Sequence, residues 1–103
     1  MTKQTINYTH YDLQLQRAGV TVEIVLSAVA NVRLMSSGNF ALYKQGQKHQ
    51  FIGGVARKSP IRLTIPDAGL WHLVVDMQGH HGQATSSIRV IEPVVQPRIQ
   101  PAT

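Results

Sequence analysis

Apolar and polar residues alternate along most of this chain with a period of two. Val20, Val22, Ile24 and Leu26 fall on one side of a run whose other side carries Thr21, Glu23 and Val25. Ile61, Leu63 and Ile65 alternate with Arg62 and Thr64, and Trp71, Leu73, Val75 and Met77 alternate with His72, Val74 and Asp76. Successive side chains of a strand point to opposite faces, so each run predicts a strand with one face turned to a core. Less regular runs predict strands over residues 6–13, 31–36, 49–56 and 84–92, and a brief extended piece over residues 40–44.

Turn chemistry separates these runs. Pro66-Asp67-Ala68-Gly69 predicts a hairpin joining residues 61–65 to 70–77. Arg17-Ala18-Gly19, Gln45-Gly46-Gln47-Lys48 and Gln78-Gly79-His80-His81-Gly82 read as turns, and Ser36-Ser37-Gly38-Asn39 as a loop. Gly53-Gly54 interrupts its strand, which marks a bulge or a place where another backbone or a ligand comes close. No window carries an amphipathic helix of normal length. About eight short strands at this spacing predict an all-β protein, a single antiparallel, jelly-roll-like β-sandwich.

With 103 residues the chain has room for one domain and one core. Residues 1–92 form the predicted sandwich. Residues 93–103 form a proline-rich tail, with Pro93, Pro97 and Pro101 favouring extended chain of the kind found in linkers, docking peptides and frayed termini. Cysteine is absent, so disulfides, thiolate catalysis and Cys-based zinc sites are excluded, and a reducing cytoplasm is the expected setting. No signal-peptide run precedes the first strand, and no segment approaches the ~20 apolar residues of a membrane span.

Charge changes the picture. The net charge is +5, and the acids are Asp12, Glu23, Asp67, Asp76 and Glu92. The interval between Glu23 and Asp67 holds none of them, yet it carries Arg33, Lys44, Lys48, Arg57, Lys58 and Arg62. A solvated basic face is the plainer reading of such a run. The functional reading makes these six residues a site for an anionic small molecule, such as a nucleotide, or for an acidic protein surface. Nucleic acid fits less well, because only 6% of the residues are aromatic and the cations are dispersed over strands and turns.

Candidate chemistry is sparse. The five histidines show neither H-x-H nor H-x₃-H spacing, so no metal site is expected. No G-x-S-x-G, P-loop or dinucleotide fingerprint occurs, and no cofactor is implied. Serines are available, but a Ser–His–Asp set would have to be assembled in space. Trp71 reads as a core residue beside Leu63 and Ile65, with an exposed platform for a sugar or base as the sharper alternative.

Several separated motifs carry a family resemblance. They are His10-Tyr11-Asp12-Leu13, Asn31-Val32-Arg33-Leu34-Met35, Asn39-Phe40, Tyr43, Gly46, Gly53-Gly54, Ser59-Pro60, Gly69-x-Trp71-His72 and Val75-Asp76. Together, over about residues 8–91, the chain resembles the small bacterial family known as domain of unknown function 1883. The resemblance implies a compact β-sandwich and a context beside Toll/interleukin-receptor-type (TIR) domains in some bacterial proteins. It implies no activity and transfers no catalytic residue.

The expected function is therefore a non-catalytic binding or interaction module working through its basic face. Two alternatives stand beside it. One is a small enzyme with His10, Asp12, His72 and Asp76 brought together across strands; the other is a dimerisation module joining two copies through an edge strand.

Overall fold

A computed structural model of the chain describes residues 8–77 and 82–93. These form β1 (Tyr8–Gln16), β2 (Thr21–Leu26), β3 (Ala30–Ser36), α1 (Ser37–Lys44), β4 (Ile52–Ala56), β5 (Ile61–Thr64), β6 (Gly69–Asp76) and β7 (Ser86–Ile91). The predicted turn through His80 and His81 and most of the proline-rich tail lie outside the described residues.

Two antiparallel sheets face each other, one ordered β1-β6-β3-β4 and the other β5-β2-β7. The all-β sandwich class follows directly from the alternation. Val20, Val22 and Ile24 meet Val32, Leu34, Ile65 and Leu73 between the sheets, all fully buried. Trp71 belongs to this core, and its indole N–H donates to the Asp67 carbonyl at 2.8 Å.

Three sequence expectations need correction. Residues 61–65 and 70–77 do not pair as a hairpin. β5 pairs with β2, while β6 lies between β1 and β3 in the other sheet, so Pro66-Asp67-Ala68 carries the chain across the sandwich. Both runs still turn their apolar sides inward, but toward each other across the core. Alternation sets which side is apolar and leaves the neighbour open.

The second correction is α1, which replaces the loop and extended piece expected over residues 36–44. Ser36 caps it, its hydroxyl accepting from the Asn39 side-chain amide at 3.0 Å and more weakly from the Asn39 backbone N–H at 3.5 Å. Gly46, at φ +71°, ends it in the left-handed conformation that glycine adopts freely. Phe40 and Tyr43, three residues apart and so on one helix face, pack on Met35 and Val74 of the larger sheet's outer surface. Two apolar anchors in eight residues are too few to announce a helix.

The third concerns Gly53-Gly54. β4 pairs with β3 in unbroken register through Arg33↔Gly53 and Val32↔Gly54, so there is no bulge there. The reading of a close backbone approach holds, since a Cβ on Gly53 would collide with the Val32 carbonyl oxygen. The irregularity lies in β1 instead, between Asp12 and Gln14, where Gln14 takes φ 62° and its N–H donates to Asp12 Oδ1 at 2.9 Å.

Removal of the Trp71 ring opens a cavity that the surrounding strands can only partly collapse. Trp71→Ala should cost about 3–5 kcal/mol in denaturant unfolding. The native indole should fluoresce to the blue and resist iodide. A loss below about 1 kcal/mol would place the ring outside the load of the core.

Candidate functional site

α1 makes the outer face of the larger sheet a second packed layer. Strand alternation puts His10 and Asp12 of β1, His72, Val74 and Asp76 of β6, and Asn31, Arg33 and Met35 of β3 on this face. Register then forms three rungs. Asp12 and Met35 flank His72, His10 and Arg33 flank Val74, and Tyr8 and Asn31 flank Asp76. The helix covers the middle rung and leaves a polar group at each end.

At one end the Asp76 carboxylate is 1% exposed. It accepts from Asn31 Nδ2 at 2.7 Å, from the Tyr43 hydroxyl at 2.8 Å and from Arg33 Nε at 3.1 Å. Burial, followed by the bond to Asp76, pushes the Tyr43 hydroxyl far above its usual range. The Arg33 guanidinium also lies 4.6 Å from the centre of the Phe51 ring. A buried charge with three donors is structurally committed, because breaking it leaves an uncompensated ion.

The other end is half-exposed and differently wired. The Ser37 hydroxyl stands 2.7 Å from His72 Nε2, and His72 Nδ1 stands 2.8 Å from His10 Nε2. Asp12 Oδ1 is 4.0 Å from the same Nδ1. Phe40 stacks on both imidazoles at 4.2 and 4.6 Å, and Lys44 Nζ lies 4.7 Å from the Phe40 ring centre. Burial lowers the pKa of both histidines; for His10 the neighbouring His72 adds to it, Lys44 lowers both, and Asp12 opposes. The two rings share one N–H between facing nitrogens, so in the neutral pair both carry their proton on Nδ1 or both on Nε2.

The alternative His10, Asp12, His72, Asp76 set is thus met by three of its members. Asp76 belongs to the far end. Ser37 and Tyr43 carry roles that spacing did not single out, and the sequence signal for them was the Ser36-to-Asn39 capping pattern, which starts the helix that brings both to the sheet.

The six candidate cations separate. Arg33 and Arg62 lie on opposite outer faces of the sandwich, and Arg62 pairs with Glu23 at 2.9 Å, as Arg89 does at 3.2 Å. Lys44 joins the imidazole end, and Lys48 is exposed in the α1–β4 connection. Arg57 and Lys58 stay together in the β4–β5 connection, where they line a shallow cavity of about 220 Å³ with Ser59 and the β2–β3 connection. The apparent lack of compensation in the middle third is therefore corrected for Arg33 and Arg62, whose carboxylate partners come from Asp76 and Glu23, outside that interval. Among the described residues no group of three His, Asp or Glu side chains is placed to hold a metal ion. No helix among them is long and apolar enough to cross a membrane.

The family model for domain of unknown function DUF1883 matches residues 6–94. The chain belongs to that family. No curated protein and no solved structure matches it. In this DUF1883 domain, the motif residues His10, Asp12, Arg33, Phe40, Tyr43, His72 and Asp76 gather on the helix-covered face.

That gathering makes stability depend on pH. His10 and His72 have folded pKa values below the unfolded value of about 6.5, so the folded domain binds fewer protons there than the unfolded chain. Their contribution is complete above about 6.5 and is lost as pH falls through the lowered folded values. The melting temperature should hold steady down to about pH 7 and then fall toward pH 5. The double variant His10→Gln, His72→Gln should flatten this fall; an unchanged slope would assign it to other groups.

Proposed function

We propose that this domain is a binding module for an anionic group, carried by a small molecule such as a nucleotide or by an acidic protein surface. The single observation behind this reading is the pair Arg57 and Lys58. They are adjacent and exposed, they line one cavity, and neither has an acidic partner among the described residues. Arg17, Arg33, Arg62 and Arg89 each meet a carboxylate.

Local structure supports the placement. The Ser59 hydroxyl accepts from the Leu26 N–H at 2.8 Å, tying the β4–β5 connection to the end of β2. Two cations are thereby held on one side of the sandwich end, where connections are free to carry binding residues on a rigid scaffold. A cavity of about 220 Å³ suits one phosphate or carboxylate group and leaves the remainder of a larger ligand on the surface. The missing cysteines fit a cytoplasmic setting.

Calorimetry with a nucleoside triphosphate and with heparin tests the reading. Binding is expected at low salt and should weaken as the screening length contracts from about 30 Å at 0.01 M to about 8 Å at 0.15 M. Arg57→Glu with Lys58→Glu should abolish binding and leave the unfolding curve in place. No heat at low salt with either probe, where the attraction is greatest, overturns it.

A further inference from the structure

We propose that Ser37 is an activated nucleophile that accepts acyl groups from esters with an apolar acyl chain, with His72 as its base and His10 as the residue that positions His72. This activity is separate from the anion site at Arg57 and Lys58 and does not rest on it.

The geometry comes from three elements. Ser37 opens α1, His72 sits in β6 and His10 in β1, and the two links between them measure 2.7 and 2.8 Å. A hydroxyl in reach of an imidazole that a third group orients is the arrangement that makes serine nucleophilic. With His72 protonated on Nδ1, that N–H donates to His10 Nε2, and Nε2 is left to accept from the Ser37 hydroxyl. Phe40 stacks on both rings and restricts their rotation. Asp12 Oδ1, 4.0 Å from His72 Nδ1, favours the imidazolium once it forms. Ser37 also stands at the start of a helix, the end whose partial positive charge suits a developing oxyanion.

The substrate class follows from the next rung of the same face. Leu70 and Leu15 are cross-strand partners one step beyond His72 and Asp12, and they are 55% and 74% exposed. Ser36 pairs with Trp71, so the chain leaves the sheet for α1 beside Leu70. An apolar acyl chain would lie on these two leucines with its carbonyl carbon at Ser37.

The proposed step balances without a co-reactant other than water. Ser37 Oγ bonds to the ester carbonyl carbon while its proton passes to His72 Nε2. The tetrahedral intermediate collapses, the carbon–alkoxy bond breaks, and the leaving alkoxide takes the proton from His72. Water then attacks the acyl-serine with the same base, releasing a carboxylic acid and restoring the hydroxyl.

A fluorophosphonate probe on the full chain, read by intact mass and peptide mapping, tests this. One adduct on Ser37 is expected, with fluoride as the leaving group, and none in Ser37→Ala. His72→Gln should slow labelling about a hundredfold with an unchanged circular dichroism spectrum. The labelling rate should fall on acidification as His72 gains a proton. The groups facing that ring are His10 and Asp12 on β1 and Lys44 on α1, and His10→Asn should shift the midpoint of the fall, an effect that loss of packing alone would not give. Ser37→Cys should transfer the reactivity to a thiol reagent with the same dependence on His72. Absence of labelling, labelling elsewhere, or an equal rate in His72→Gln overturns the proposal.

Discussion

The Asp76 carboxylate is the constraint on which the helix-covered face depends. An ion taken out of water costs several kcal/mol unless its lone pairs are met. Here β3 supplies Asn31 and Arg33, and α1 supplies Tyr43. The partner from α1 matters most for the architecture, because the helix has only eight residues and two apolar anchors. Tyr43 on Asp76 fixes its azimuth, which in turn sets Phe40 over Val74 and against the two imidazoles. The position of Ser37 at the helix start is then determined by the far end of the same helix.

The two ends of this face differ in spare capacity. Around Asp76 the donors are committed to a buried anion, and the Tyr43 proton is held more firmly than in water. Around His72 a hydroxyl and two imidazoles are partly exposed and linked in series, so a proton can move along them without stranding a buried charge. Phe40 separates the two regimes. A fold that locks one end and leaves the other wired but open positions reactive groups without making the scaffold soft.

What the sequence disclosed and what it hid divide along a physical line. β2, β5 and β6 were legible because one face of each is buried in the inter-sheet core, and burial on one face imposes period two. Trp71 was placed correctly by the same logic. Alternation then assigns the remaining residues to solvent, and that step fails wherever the outer face is itself covered. His72, Val74 and Asp76 read as an outward side, yet α1 turns that side into an interior. The helix was hidden because Phe40 and Tyr43 alone carry its apolar face. The serine–histidine contact spans 35 residues, a separation about which spacing is silent.

The basic middle third shows the complementary limit. A linear count of charge treats an interval as if its compensation had to come from within. Antiparallel pairing instead brings Glu23 opposite Arg62 and Arg89, and the outer face brings Asp76 to Arg33. Folding thus removes some cations from the tally and leaves others, and Arg57 and Lys58 are adjacent and have no acidic partner among the described residues. Their attraction for an anion acts through solvent and is weakened by salt. The imidazole chain works by direct contact over less than 3 Å, where ionic strength has little hold. Under the two proposals, salt would govern the anion site on the connections and pH the imidazole pair on the sheet, so one small sandwich would answer to two separate conditions.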